Sequence, residues 1–494
     1  VTRTVPSTIG SRWPALVVLC TGTLMVILDQ TIVNVALPSI QDDLGFSQSG
    51  LAWVVNAYLI AFGGLLLLAG RLGDLVGRKR VFLAGLTLFT LASLLCGIAG
   101  SQEVLIAARF AQGIGGATAS AVILGMIVTM FPQPREQATA IGVYSFVASA
   151  GASIGLLAGG VLTQAISWHW IFFVNVPVGI ATAVLAGRLL AADHPRGAQR
   201  SGGGADVPGA VLVTAALMLG VYTIVETVRY GWASAHTLGL GAVAAVLLAG
   251  FVARQATAAR PLLPLRLFRS RAVSGANAVQ ALMVAGLLGM FFLAVLYLRQ
   301  VLGYDALRTG LAFLPVSLGI GALSLGFSAR LNTRFGERAV LLPGLLLAAV
   351  GLGLLTRAPV AGSYVLDVLP SMLLLGGGVG LAFPATTTLA MSGATAEDSG
   401  LLSGLANTTL QVGGALGLAV LATLATARTD DLLAAGQPTA VAQTGGYHLA
   451  FGIAAASLLA AVVLAATVLR PAPELAPSLL AGEADEVADA ADAA

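Results

Sequence analysis

Apolar runs of roughly 20 residues, each long enough to cross about 30 Å of hydrocarbon as a helix, recur along this chain from Trp13 to Leu469. A backbone surrounded by hydrocarbon must satisfy every N–H and C=O internally, which for runs of this length means α-helices. About fourteen can be drawn, beginning near Trp13, Leu51, Arg80, Val104, Gln137, Trp170, Val207, Thr237, Ala272, Thr309, Arg338, Val365, Leu401 and Tyr447. Composition agrees: 57% of the 494 residues are hydrophobic and 10% charged, where a soluble domain carries about 25% charged residues. The expected fold is an all-α integral membrane protein. Trp13 to Pro38 is too long for the core of a signal peptide and has no small-residue cleavage site, so it reads as the first span.

With an even number of spans and both termini cytoplasmic, nineteen of the 25 Lys and Arg residues fall inside, five fall outside, and Arg109 lies within a span. That is the asymmetry expected of cytoplasmic loops. The net charge of +3 therefore reports orientation in the membrane, and nucleic acid is not an expected partner. Lys79, the one lysine, is flanked by arginines. No GxxxxGK[ST] phosphate loop exists, which argues against an ATP-driven pump. His169, His194, His236 and His448 sit in loops or at span edges, with no HExxH and no carboxylate pair at ligand spacing. Neither a metal centre, a cofactor nor an enzyme is expected. Cys20 and Cys96 lie in apolar spans and read as small buried hydrophobes. The preference for arginine over lysine suggests GC-rich, bacterial coding.

Two loops break the rhythm: the glycine-rich Ala192 to Asp206 and the basic, proline-containing Arg254 to Arg271. They read as cytoplasmic connectors, and removing the two spans between them leaves six on either side. The sixes echo each other. GRLGDLVGRKR (Gly70 to Arg80) follows the second span of one set and SARLNTRFGERAV (Ser328 to Val340) the second of the other, with Gly77 matching Gly336 and Leu72 matching Leu331. The expected organisation is a six-helix bundle over 1–190, connectors with two additional helices over 191–271, a second six-helix bundle over 272–470, and an acidic, disordered cytoplasmic tail over 471–494. Six-plus-six repeats are the architecture of secondary transporters that rock two bundles about a midplane site.

GRLGDLVGRKR resembles the loop signature of the major facilitator superfamily. VILDQTIVNVALPSI (Val26 to Ile40) is similar to the first-helix signature of its fourteen-helix drug:proton antiporter branch, the EmrB/QacA type. RFAQGIGGA (Arg109 to Ala117), SWHWIFFVNVPVG (Ser167 to Gly179) and NTTLQVGGALGLAV (Asn407 to Val420) follow in the right order. The resemblance covers nearly the whole chain. It implies a plasma-membrane exporter, acting as a monomer, that exchanges hydrophobic or cationic drugs, antibiotics or lipids for protons. Dedicated export of one antibiotic or lipid, or proton-coupled symport, remains the alternative.

Asp29 lies deep in the first span, where a charged side chain costs about 2.5–3.5 kcal/mol on insertion scales. It reads as a proton carrier, or else as a carboxyl pinned by helix hydrogen bonds. Arg109 is the one basic residue well inside a span; it reads as partner of a carboxylate or of the proton pathway, or as a bundle-internal arginine that fixes packing. Gln112 shares its face. Glu226, near the outer end of the seventh span beside Arg229, is either a second proton site or a side chain that reaches water. By resemblance Gly73, Asp74, Gly77, Arg78 and Lys79 form a conformational latch; Leu75 and Thr333 depart from that pattern, which predicts a one-sided latch. Candidate substrate contacts are Asn34, Asn56, Gln112, Asn277, Gln280, Asn407 and Gln411, with Phe291, Phe292 and Tyr297 as an aromatic wall; the same polar groups can instead bond neighbouring helices.

GASIGLLAGG (Gly151 to Gly160) aligns with the GPxxGPxxGG antiporter signature of these exporters, but Ala152 and Leu156 replace both prolines. Gly151, Gly155 and Gly159 share one helical face. With Gly160 they predict a bare surface where the two bundles approach, with Gly413 and Gly417 as its counterpart; ordinary helix packing is the alternative. Without the prolines the helix keeps two more backbone hydrogen bonds and is expected to be straighter.

Overall fold

Each apolar run closes its backbone hydrogen bonds as a helix in the computed structural model, which describes residues 12–131, 133–190, 206–259, 261–391 and 399–469. The first half contains α1 (Arg12–Leu44), α2 (Gln48–Val76), α3 (Arg78–Gly97), α4 (Gln102–Met130), α5 (Pro134–Ala165), the short α6 (Trp170–Phe173) and α7 (Asn175–Leu189). Two helices follow, α8 (Val207–Tyr230) and α9 (Ala235–Thr257). The second half contains α10 (Arg271–Leu296), α11 (Ala306–Ala312), α12 (Leu314–Leu323), α13 (Ala329–Phe335), α14 (Glu337–Leu355), α15 (Leu369–Ala390), α16 (Ser399–Ala434) and α17 (Thr439–Val468). Among the described residues thirteen helical segments are long and apolar enough to cross a membrane. The expected fifth span corresponds to the 32-residue α5, many of whose side chains lie outside the described residues. The acidic tail and nearly all of the connector 192–206 also lie outside them.

Side-chain caps start the helices where the sequence supplies short polar residues. Ser47, Ser101, Asp206, Ser234, Ser270 and Asp305 each accept from a backbone N–H in the first turn. The corresponding loops of the two halves turn at Gly77 (φ 108°) and Gly336 (φ 81°), backbone angles that exact a steric cost from any side chain. The packing repeats as well. In the first half α1 packs on α5, α3 on α4, α2 on α4 and α3 on α7; in the second, α10 packs on α16, α14 on α15, α12 on α15 and α14 on α17. Helix α8 lies on α2, α16 and α9, so the inserted pair is seated on the seam between the halves.

The glycine stripe faces a different neighbour from the one expected. A Cβ at Gly151 would lie 3.0 Å from Leu24, one at Gly155 2.9 Å from the Leu28 carbonyl, and one at Gly159 2.6 Å from the Ile32 carbonyl. All three glycines therefore seat α5 on α1 within the first bundle, because only a hydrogen at Cα lets two backbones come this close. Gly413 and Gly417 do the same for α16 against Ala281 and Ala285 of α10. They are the repeat-related counterpart, but again within one bundle. Gly160, off the stripe, is the residue that reaches across, with a Cβ position 2.8 Å from the Ala306 carbonyl. Gly159→Leu is expected to destabilise the first bundle by the about 1–3 kcal/mol typical of overpacking or more. Gly353→Ala, which meets nothing within 4 Å, is the neutral control. Thermal unfolding of the detergent-solubilised variants measures the difference.

Candidate functional site

Asp29 of α1 is fully buried, and every hydrogen bond it accepts in the described structure comes from another helix. Arg109 of α4 donates through Nη1 to Oδ2 at 2.6 Å, Gln112 through Nε2 to Oδ1 at 2.8 Å, and Asn175 of α7 through Nδ2 to Oδ1 at 2.8 Å. A buried carboxylate needs such donors to offset the water it has lost. Arg109, 1% exposed, also donates through Nε to the Val54 carbonyl and through Nη1 to Gln112 Oε1, and its guanidinium lies 4.5 Å from the centre of the Tyr58 ring. Ser93 accepts from Gln112 at 2.7 Å and from Asn175 at 3.4 Å, and the Cys96 thiol donates to Gln112 Oε1. The arrangement is one closed polar network at the centre of the first bundle.

Arg109, expected to partner a carboxylate or the proton pathway, thus meets Asp29 directly. Gln112, expected beside substrate, belongs to this network instead, because its position three residues after Arg109 turns its amide to the same carboxylate. Asn175 and Ser93 were not singled out by sequence reasoning; the available signal was an amide and a hydroxyl within apolar spans. Glu226 takes no part. It lies on α8 one turn from both Tyr222 and Tyr230, the latter stacked on His236 at 4.0 Å, and no hydrogen bond or ion pair joins it to another described residue.

The remaining candidates fall in two groups. Asn277 accepts from the Thr409 hydroxyl at 3.0 Å, joining α10 to α16, while Gln411 lies where α16 meets Gly63 of α2. Asn34 donates to the Gln30 carbonyl of its own helix, and Asn407 is exposed. Asn56 is wholly buried with neither amide atom partnered, and Gln280 is 1% exposed with an unpartnered Oε1. The aromatic wall divides. Phe291 stacks on Phe313 at 5.4 Å, whereas Tyr297 is 1% exposed and donates to the Pro359 carbonyl. Tyr297 therefore anchors the end of α10 rather than presenting a face to a ligand.

In the latch loop, Gly73 brings α2 against Val122 of α4, and Arg78 donates to the Gly125 carbonyl at 2.7 Å. Lys79 donates to the carbonyls of Gly187 and Leu190 at the end of α7. Arg338, two residues beyond Gly336 as Lys79 is beyond Gly77, donates likewise to Ala466 near the end of α17. Lys79 and Arg338 each satisfy carbonyls that a helix terminus leaves open. The side chains of Asp74 and Thr333 lie outside the described residues.

At the opposite end of the helices the two bundles are hydrogen-bonded to each other. Gln300, in the π turn that extends α10, donates to Gln41 of α1 at 2.9 Å, while its own carbonyl accepts from Tyr447 at 2.7 Å and Gln443 at 3.2 Å. The Leu307 N–H donates to Gln164 of α5 at 3.0 Å.

The inserted pair is clasped at the α8 N-terminus, where Asp206 accepts from Arg254 at 2.6 Å, from Gln255 at 3.0 Å and from the Gly209 N–H. Burial pushes the Asp206 pKa up, but these hydrogen bonds and the Arg254 charge outweigh it and hold the carboxyl below its ordinary value. A depressed carboxylate contributes stability that is complete above its unfolded value of about 3.9 and is lost as pH falls through the folded one. The melting-temperature difference between wild type and Asp206→Asn is therefore expected to be constant above about pH 5 and to shrink below it.

The sequence profile described as Major Facilitator Superfamily matches residues 19–418. The puromycin resistance protein pur8 of Streptomyces alboniger is 39% identical over 461 residues, covering 92% of this chain and 90% of that protein. The cephamycin export protein CmcT of Amycolatopsis lactamdurans is 38% identical over 453 residues, covering 91% of each. Among solved structures, a bacterial homologue of the human lysosomal transporter Spinster, in an inward-facing and unoccupied conformation, aligns with TM-score 0.67 at 17% identity over 94% of this chain and all of that one. Repeated bundles, a buried polar network and these likenesses agree: the chain belongs to the Major Facilitator Superfamily, in its drug-efflux branch, and is a transporter rather than an enzyme.

Proposed function

We propose that the chain is a proton-coupled secondary active exporter of hydrophobic small molecules, with Asp29 as the proton carrier and the loop bearing Arg78 and Lys79 on the cytoplasmic face. The observation that carries this reading is the buried network in which Asp29 meets Arg109, Gln112 and Asn175. A proton on Asp29 cancels the charge facing Arg109 and weakens the charge-assisted bonds that join α1 to α4 and α7. Loading and unloading thereby bias how these helices pack, which is what coupling to an alternating-access cycle requires. On this orientation the Gln41–Gln300 end is the outer face, and its hydrogen bonds close that face. The domain limits 1–190, 191–271 and 272–470 belong to the same proposal.

Adding substrate to energised inverted vesicles is expected to release stored protons. Proton influx that accompanies inward substrate movement in right-side-out vesicles would instead identify a symporter. A dedicated exporter of one antibiotic is the second reading, favoured because the two relatives compared are each named for a single compound class. Expression in a pump-deficient host against dyes, quaternary cations and antibiotics separates the two: broad protection marks a multidrug pump, one protected compound a dedicated exporter.

A further inference from the structure

We infer that the substrate region is built for uncharged, hydrogen-bonding molecules and discriminates against organic cations. This rests on the exporter reading above and narrows it.

An organic cation taken from water into the middle of a membrane protein needs a carboxylate or an open aromatic face to replace its hydration. Among the described residues Asp29 and Glu226 are the acids in the interior of the spans, and the second half places Asp305, Glu337, Asp367, Asp430 and Asp431 at helix ends; Glu397 and Asp398 lie outside the described residues. Asp29 is 0% exposed, and both its oxygens are already occupied by Arg109, Gln112 and Asn175. Glu226 sits on α8, the inserted helix seated outside the α2–α16 seam. Among the described residues, the rings beside this network are engaged as well. The Arg109 guanidinium lies over Tyr58 at 4.5 Å and near Phe172 at 5.8 Å, and Phe291 is stacked on Phe313.

The polar side chains singled out as substrate contacts within the spans are neutral. Asn34, Asn56, Asn277, Gln280, Thr409 and Gln411 bear amides and a hydroxyl, and both amide atoms of Asn56 and the carbonyl of Gln280 are buried without partners. Unmet hydrogen-bonding capacity in a buried place is costly. A ligand with complementary donors and acceptors relieves it, and a bare cation does not. Exchange of such a substrate for protons moves net positive charge inward, so a membrane potential alone, negative inside, drives export.

The test is a resistance and counterflow screen with charge-matched probes: doxorubicin, which carries a protonated amine, its uncharged N-acetyl derivative, and the permanent cation tetraphenylphosphonium. The N-acetyl form is expected to be carried and the cations disfavoured by about two orders of magnitude, the size of an unpaired charge at this depth. Asn277→Asp, which adds a carboxylate, is expected to gain transport of tetraphenylphosphonium. Wild-type transport of either cation at a rate equal to or above the N-acetyl form overturns the inference while leaving export intact. If no compound of the wider screen is protected and none shows counterflow, the exporter reading itself fails and takes this inference with it.

Discussion

Asp29→Asn is expected to abolish substrate-driven proton release while substrate counterflow continues. Asparagine keeps one oxygen, which can accept either from Arg109 or from Gln112 and Asn175 but not from both sides, and it cannot take up and give back a proton, so net exchange stops and substrate-for-substrate exchange, which needs no protonation change, survives. The loss in net exchange is expected to exceed about 100-fold, because the general acid–base group itself is gone. Removing one member of a buried ion pair also costs about 3–5 kcal/mol, here by leaving Arg109 charged and partly unpaired at 1% exposure. Folded yield must therefore be measured beside transport. Asp29→Asn combined with Arg109→Gln removes both charges and is expected to recover stability without recovering exchange. Proton release at the wild-type rate from well-folded Asp29→Asn would remove Asp29 from the coupling mechanism.

The second large effect is expected at the other end of the bundles. Cysteines replacing Gln41 and Gln300, bridged by a short reducible bis-thiosulfonate, are expected to stop transport completely, and reduction to restore it. The two amides meet at 2.9 Å across the bundle interface, so a covalent bridge there holds together two bodies that must separate once in every cycle. The native Cys20 and Cys96 are buried, which keeps the background labelling low. Loss of the bond alone is a milder change. Gln300→Leu removes a net contribution of about 0.5–1.5 kcal/mol from the closed arrangement, which is expected to raise outer-face accessibility by up to about tenfold, read by thiol labelling of Leu37→Cys, one turn before Gln41 on the same face of α1. Uninterrupted transport with the bridge in place would show that this end does not open.

Much of the architecture is legible in the residues one at a time. Helix positions follow from the apolar runs, the turns at Gly77 and Gly336 from the need for positive φ, and the depth of Asp29 and Arg109 from counting along their spans. The network they form is less so. Asp29 is 80 residues from Arg109 and 146 from Asn175, and no local pattern states that three helices converge. An asparagine in an apolar span is equally suited to a helix contact, a ligand or a network, so Asn175 could not be told apart from Asn56 or Asn277.

The glycine stripe marks the boundary most clearly. Spacing by itself determined that Gly151, Gly155 and Gly159 share a bare face, since 3.6 residues per turn brings every fourth residue round to one side. Which helix fills that face is a property of the assembled bundle. The structure seats α1 there, within the first bundle, and gives the neighbouring Gly160 to the other one. In the same way composition determined that the chain crosses a membrane, whereas only the packing of α4 and α7 around α1 decided that Asp29 is fully enclosed, and so which residues are left to meet a substrate. Periodicity specifies the face a residue occupies; the partner on that face is chosen by close packing and hydrogen-bond satisfaction among helices far apart in sequence.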